Sequence, residues 1–354
     1  MTATPRQELT SELLLDYYDK RGRKLPWREN SDPYRVWVSE VMLQQTRVET
    51  VVPYFNAWIE KFPKLSDLAV ADEESVLNMW EGLGYYRRAR NLQKSAQRIV
   101  NELGGRFPKT HEEVLRLPGV GPYTAGAICS IAFNHPAPIV DGNAIRVLTR
   151  VFGITGDPKE KATDARLWSL ARELVNKAVA IQGADERNCS DFNQSLMELG
   201  ATVCTPANPA CSTCPIAKRC VANKEGRQAE LPRLKKAQAA TPRTFRAYAI
   251  KRGNRFLVRQ RRADLVNPDL WEFPNFEPAT ENPPILPTVG EFTPLYTIKH
   301  SITRFRITLE AFIGQARPRY RPTVEEVWLT TAELEKLAFT SAHRKILNKL
   351  IALE

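Results

Sequence analysis

Apolar residues recur at helical spacing through the first two-thirds of the chain and at alternate positions in the last third. In LTSELLLDYYDKRG (9–22), Leu9, Leu13 and Tyr17 fall on one helix face. The run SEVMLQQTRVETVVPYFNAWIEKF (39–62) predicts one long helix with Ser39 as its N-cap. Further helices are expected over Asp72–Trp80, Tyr86–Leu103, Thr110–Arg116, Pro122–Phe133, Asn143–Phe152 and Leu167–Ala180. Pro63, Gly82, Gly84, Gly104, Gly105, Pro118, Pro122, Pro136 and Pro138 punctuate them, so the segment reads as an all-α domain with short loops.

The pattern changes after Cys220. Residues 223–242 are polar, basic and poor in aromatics, as a linker would be. FRAYAIKRGNRFLVRQRR then predicts two strands joined at Gly253–Asn254. In SITRFRITLEAFI, Phe305, Ile307, Leu309, Ala311 and Ile313 face one way and Arg304, Arg306 and Glu310 the other. An amphipathic helix over Ser341–Leu353 completes an α+β region. No internal repeat is visible.

The chain has 354 residues, room for two domains, and a formal charge of +11, which suits a polyanionic partner such as nucleic acid. No stretch approaches the ~18 apolar residues of a spanning helix, so no membrane association is expected. Met1–Thr10 lacks the apolar core of a secretory leader. Six cysteines in such a chain do not make a disulfide framework, so a reducing, cytoplasmic location is expected.

Four of those cysteines, Cys204, Cys211, Cys214 and Cys220, are spaced C-x6-C-x2-C-x5-C, while Cys129 and Cys189 stand alone. Four thiolates so close in sequence can wrap one metal centre. Structural zinc and iron–sulfur both use such sets, and a single C-x2-C pair leans only slightly toward iron–sulfur. LPGVGPYTAGA (117–127) sits between two expected helices. Gly119 and Gly121 there permit a hairpin whose backbone N–H groups point outward at a helix start, a geometry suited to phosphate. As plain structure, the same residues are a helix–helix turn.

Glu40 and Asp141 stand out as carboxylates. Singly they read as a first-turn glutamate and an N-cap. As a pair they are what glycosidic cleavage needs, one acid for the leaving group and one carboxylate for an oxocarbenium-like centre.

LPWR (25–28), SEVMLQQT (39–46), GLGYYRRARNL (82–92), LPGVGPYTAGA (117–127), VDGNAIRVLTR (140–150), NQSLMELGA (193–201) and the four-cysteine loop together resemble the MutY-type adenine DNA glycosylases of the helix–hairpin–helix superfamily. The resemblance implies a helical catalytic domain (1–222) with a six-helix subdomain (28–138) and an iron–sulfur subdomain (1–27 and 139–222). It also implies a Nudix-like α+β domain (243–354). It implies that Cys204, Cys211, Cys214 and Cys220 hold a 4Fe–4S cluster, and that the partner of a monomeric enzyme is double-stranded DNA with an A:8-oxoguanine or A:G mispair.

By position, Glu40 resembles the acid that protonates adenine N7, Asp141 the carboxylate facing the sugar cation, and Tyr123 and Asn143 their support. Gln45 and Tyr85 resemble residues that probe and fill the duplex. Trp27, Arg28, Leu43 and Gln194 fall where the adenine pocket is built. Lyase-type relatives carry a Schiff-base lysine where Tyr123 stands. A phenol cannot form an imine, so a monofunctional enzyme is expected.

The C-terminal part departs from a working Nudix hydrolase. After LWEFPNFE (270–277) comes EPATENPPILP in place of the glutamate-rich helix, which implies recognition without hydrolysis. The family's Phe-Ser-His loop corresponds to Ile302, Thr303 and Arg304, and Thr303 is the expected contact to 8-oxoguanine. Two other readings compete: a lyase acting on oxidised pyrimidines, opposed by Tyr123, and a non-enzymatic DNA-binding module, opposed by the presence of both Glu40 and Asp141.

Overall fold

The computed structural model describes residues 5–181, 187–235, 239–262, 264–278, 286–302 and 304–353, with residues 5–9 described only as part of their helix. The chain divides into two compact units, Met1–Val70 with Asn91–Lys236, and Ala71–Arg90 with Ala237–Glu354. No helix among the described residues is long and apolar enough to cross a membrane.

The helices in chain order are α1 (Pro5–Arg21), α2 (Pro33–Leu43), α3 (Val48–Lys61), α4 (Leu65–Val70), α5 (Glu73–Met79), α6 (Arg87–Glu102), α7 (His111–Leu115), α8 (Pro122–Ile131), α9 (Gly142–Phe152), α10 (Lys161–Val179), α11 (Asn188–Thr202) and α12 (Val221–Glu225). In the first unit α1, α9, α10 and α11 share a core of Leu14, Val147, Leu148, Leu167, Leu174, Phe192 and Leu196. Of the expected α1 face, Leu9 lies outside the described side chains, while Leu13 and Tyr17 pack against this core.

The run 39–62 is two helices, not one. α2 starts six residues before Ser39, because Asp32 accepts from Tyr34 N and Pro33 presets the first helical position. Ser39 is therefore no N-cap; its hydroxyl donates to Val36 O at 2.8 Å. α2 stops where Gln45 takes φ 60, a left-handed conformation costing about 1 kcal/mol or more outside glycine. The start of the expected linker is also built into this unit. Leu231 is 2% exposed in its core, and Arg150 Nε donates to Leu231 O at 2.9 Å.

The second unit contains a seven-stranded sheet. Its strands are β1 (Thr241–Arg252), β2 (Arg255–Gln260), β3 (Trp271–Glu272), β4 (Asn275–Phe276), β5 (Thr288–Ile302), β6 (Phe305–Ala316) and β7 (Glu326–Thr330). The path is β3-β2-β1-β6-β5, with β4 on β1 and β7 on β2. Among the ladders of the described residues the β1–β6 pairing is parallel and the others are antiparallel, and one isolated parallel bridge joins Trp271 to Phe339. α13 (Thr331–Glu335) and α14 (Ser341–Ile351) complete it.

Ala247, Ala249, Phe256, Val258, Leu309 and Ala311 pack with Ile346, Leu347 and Leu350 of α14. SITRFRITLEAFI is not one strand: β5 ends at Ile302, which pairs with Phe305 at the start of β6. Residues 71–90, expected with the helical domain, belong to this unit. Arg344 forks onto Glu81 (2.5 and 2.7 Å), and Tyr86 Oη donates to Phe339 O at 3.1 Å.

Candidate active site

One pocket of the first unit, about 900 Å³, is lined by Trp27, Arg28, Glu40, Leu43, Gln45, Gly119, Gly121, Tyr123, Asp141, Asn143 and Gln194. These residues come from the 3-10 turn Pro26–Arg28, α2, the turn after it, the α7–α8 hairpin with the start of α8, the head of α9 and α11. Tyr85 lies in the second unit, half-exposed at φ 48, with Arg88 over its ring. Thr303 lies outside the described residues.

Glu40 is not in a first turn. It sits two turns into α2 and is 4% exposed. Tyr123 Oη donates to Glu40 Oε2 at 2.5 Å. Burial lifts the Glu40 carboxyl to about 7; the Tyr123 hydrogen bond opposes the rise, the Asp141 charge adds to it, and Arg28 opposes it. Burial, and then the charges of Glu40 and Asp141, hold the Tyr123 phenol well above its ordinary value, so it stays a donor.

Asp141 is both the N-cap of α9 and a pocket residue. It accepts from Ala144 N at 2.7 Å and from Asn143 Nδ2 at 3.0 Å. Burial raises its carboxyl above the usual value against the pull of these hydrogen bonds and of Arg146.

The rest of the wall is held rigidly. Trp27 packs edge-on to Phe55 with ring centroids 5.5 Å apart. Gln194 Nε2 donates to Ser190 Oγ at 3.0 Å. Sequence reasoning missed Arg23, Met197 and Glu198, which also line the pocket. Glu198 follows Gln194 by four residues on α11, a helical spacing that could have found it. Its buried carboxylate is clasped by Arg23 Nε (2.6 Å) and Arg28 Nη1 (3.0 Å). Burial alone would raise it, yet the two guanidiniums hold it below the usual value.

In the hairpin, Gly119 has φ +76 and leaves only 2.4 Å between an added Cβ and Asn91 Nδ2. Gly121 is different, since a Cβ there would stand in open space.

α9 also runs from the pocket to the cysteines. Arg146 Nη2 donates to Asn143 Oδ1 (2.7 Å) and Gly200 O (2.8 Å), and its Nε donates to Cys204 O (2.7 Å). Gly200 permits the approach, because a Cβ there would lie 2.6 Å from Asn143 Cβ. Arg150 Nη1 reaches Cys204 Sγ at 3.4 Å and Thr205 O at 2.8 Å.

Cys204, Cys211, Cys214 and Cys220 line one small apolar cavity beside Val147, Val151, Leu199 and Ile216. Yet among the described residues no three His, Cys, Asp or Glu side chains converge on a single-ion site. Four thiolates around one cavity are a donor set that a single metal ion or an iron–sulfur cluster can take.

Residues 38–173 match the family model described as HhH-GPD superfamily base excision DNA repair protein, and 246–349 match the NUDIX domain. The chain is 50% identical to an adenine DNA glycosylase of Mus musculus over 230 residues, covering 62% of this chain and 43% of that protein. It therefore spans less than half of the mammalian relative's length. It is 38% identical over 268 residues to the adenine DNA glycosylase of Buchnera aphidicola subsp. Schizaphis graminum, covering 75% of each.

A solved thermostable thymine-DNA glycosylase overlays with a TM-score of 0.55 at 29% identity, covering 62% of this chain and 97% of that one. An endonuclease III–DNA covalent intermediate overlays at 0.51 and 21% identity, covering 63% and 99%, a likeness of fold alone. A helical helix–hairpin–helix unit followed by a strand-containing Nudix-like unit, and the identity across three-quarters of the Buchnera protein, lead to one assignment: the chain belongs to the family of MutY-type adenine DNA glycosylases.

Proposed function

We propose that the protein excises adenine from A:8-oxoguanine and A:G mispairs in double-stranded DNA, as a monofunctional glycosylase acting as a monomer inside the cell. The observation that carries this is Glu40, a buried carboxyl lifted to about 7 in the same pocket as Asp141. A group with that value still holds much of its proton near neutral pH and loses it readily, as a general acid must.

In this reading a flipped adenine enters the pocket, bounded by Trp27, Leu43 and Gln194. Glu40 gives its proton to N7. The C1′–N9 bond breaks with its electron pair going to the base, and Asp141 faces the sugar cation that remains. Asn143 and Ala144 N–H fix the Asp141 carboxylate, and water closes the reaction at C1′. Tyr123 offers no amine, so no imine forms with the sugar. Gln45, exposed on its left-handed turn, and Tyr85 are proposed to probe and fill the duplex. Gly119 and Gly121 are proposed to bring the hairpin backbone to a phosphate.

Cys204, Cys211, Cys214 and Cys220 are proposed to hold a 4Fe–4S cluster, which supplies a structural cross-link of the loop when bound. Purified protein is then expected to carry about four irons per chain; stoichiometric zinc without iron would overturn that part.

A gel assay on A:8-oxoguanine and oxidised-pyrimidine duplexes tests the activity. Strand breaks that require alkali, on the first duplex only, are expected. Alkali-independent breaks would mean a lyase, and no breaks a DNA-binding module.

A further inference from the structure

Met197 lines the pocket, and the reading above gives it no task. Its Sδ lies 3.3 Å from Tyr123 Oη, the atom that also lies 2.5 Å from Glu40 Oε2. A phenol has one proton to donate, and a thioether sulfur can only accept, weakly. Beside an ionised Glu40 the carboxylate is much the stronger acceptor, so the Tyr123 proton points to Oε2. Beside a protonated Glu40, two hydroxyls meet across one short contact. If the acid donates to Tyr123 Oη, the phenol proton must turn elsewhere, and the sulfur is the acceptor within reach.

We propose that Met197 is a positioning residue for Glu40: its sulfur accepts the Tyr123 hydroxyl whenever Glu40 carries a proton. The waiting state is then a chain in which Glu40 Oε2–H donates to Tyr123 Oη and Tyr123 Oη–H donates to Met197 Sδ. When adenine N7 arrives, a better base than a phenol oxygen, the proton on Oε2 passes to N7 and its electron pair stays on the carboxylate. The Tyr123 proton then swings from sulfur to Oε2 and stabilises the new anion. One proton leaves Glu40, one reaches the base, and nothing is oxidised or reduced.

The inference rests on the adenine-excision reading for its substrate, but its hydrogen-bond chain can be tested without DNA. The charged and titratable groups around Glu40 are few. Arg28 approaches from 26–28, Tyr123 from α8 and Asp141 from the head of α9. Glu198 on α11 is tied up by Arg23 and Arg28, and Arg47 and Glu49 lie exposed at the pocket rim.

Met197→Leu keeps the volume and removes the acceptor. The protein is labelled with carboxyl-13C glutamate and titrated by NMR free of DNA, the Glu40 signal being the one missing from Glu40→Gln. Without the sulfur the protonated form loses a partner, so the Glu40 midpoint is expected to fall by about half a pH unit, the scale of one weak hydrogen bond. Met197→Gln, whose amide oxygen accepts, is expected to restore it. The alkaline limb of single-turnover excision on an A:8-oxoguanine duplex should move with the midpoint.

An unmoved midpoint in Met197→Leu, or no recovery in Met197→Gln, overturns the proposal, and a rate lowered equally at every pH would then mark Met197 as packing. A midpoint that moves in a protein releasing no adenine would uphold the hydrogen-bond chain and sink the functional reading instead.

Discussion

Glu40 in the first unit and Glu272 in the second are both nearly inaccessible, 4% and 1% exposed. Burial pushes both carboxyls upward, yet they end on opposite sides of the ordinary value. Glu272 faces His343 and the guanidiniums of Arg261 and Arg259, and against its burial they bring it below the usual range. Glu40 meets a neutral phenol and a second carboxylate, with Arg28 the least of the influences on it, and rises to about 7. Glu198 shows that the unit is not what matters: it shares the Glu40 pocket, is clasped by Arg23 and Arg28, and falls. A buried carboxyl given cations is held as an anion and serves as structure. One denied them keeps its proton and becomes available for chemistry.

The sharpest way to break this contrast is to remove the proton from one and the charge from the other. Glu40→Gln keeps shape and loses the acid, so single-turnover adenine excision is expected to fall at least about a hundredfold with DNA affinity little changed. Wild-type excision by that variant would take Glu40 out of the mechanism. Glu272→Ala leaves Arg259 and Arg261 without their carboxylate. Thermal unfolding should report a loss of about 2 kcal/mol in the second unit. That is below the ~3–5 kcal/mol of a wholly buried pair, because both guanidiniums keep some access to water. An unchanged melting profile would mean that the clasp adds no stability.

The residues of the pocket were more legible in the sequence than the architecture around them. Glu40, Tyr123, Asp141 and Asn143 sit in short motifs, and the structure gathers them in one pocket because each lies at a helix terminus or on a face aimed into it. What the sequence concealed were breaks without breakers and pairings across long separations. Gln44-Gln45-Thr46 contains no glycine or proline, so nothing announced that α2 would end there through a left-handed glutamine. Glu81 and Arg344 are 263 positions apart, so the membership of 71–90 in the second unit could not be read from local periodicity. Polar, basic composition hid Leu231, a single apolar anchor in an otherwise linker-like stretch.

The contrast also has a pH signature. Glu40 has a raised value in the folded state, so its contribution to stability is fully present below about 4.5 and is lost as pH rises through about 7. His343 runs the other way. Buried and accepting from Phe273 N at 3.0 Å, it is pushed down to about 4, so the unfolded chain binds its proton first. Its contribution is present above about 6.5 and is lost as pH falls toward 4, and the depressed Glu272 also weakens the second unit in acid. Calorimetry from pH 5 to 8, above the range in which the depressed Glu198 and Glu272 titrate, should therefore show the two units moving in opposite directions, with Glu40→Gln flattening the first and His343→Gln the second. Parallel curves that neither substitution alters would mean that these groups do not set the trend.

The smallest expected effect concerns how the opposite strand is read, and it asks whether the second unit has chemistry as well as structure. Thr303 lies outside the described residues, next in sequence to Ile302, the last residue of β5. 8-Oxoguanine differs from guanine by a proton on N7 and an oxygen on C8. A threonine hydroxyl can accept from the first, whereas Arg304 can only donate, to the oxygen or to a phosphate. Thr303→Val removes that acceptor at nearly constant shape. The preference for A:8-oxoguanine over A:G, measured as the ratio of single-turnover rates with enzyme in excess over DNA but below saturation, should drop by about 1 kcal/mol, roughly fivefold, the net size of one neutral hydrogen bond. Arg304→Gln should lower binding to both duplexes about equally if that guanidinium holds a phosphate, and should lower the ratio if it reads the C8 oxygen. Should Thr303→Val discriminate as well as the wild type, the damaged base is not read by this residue.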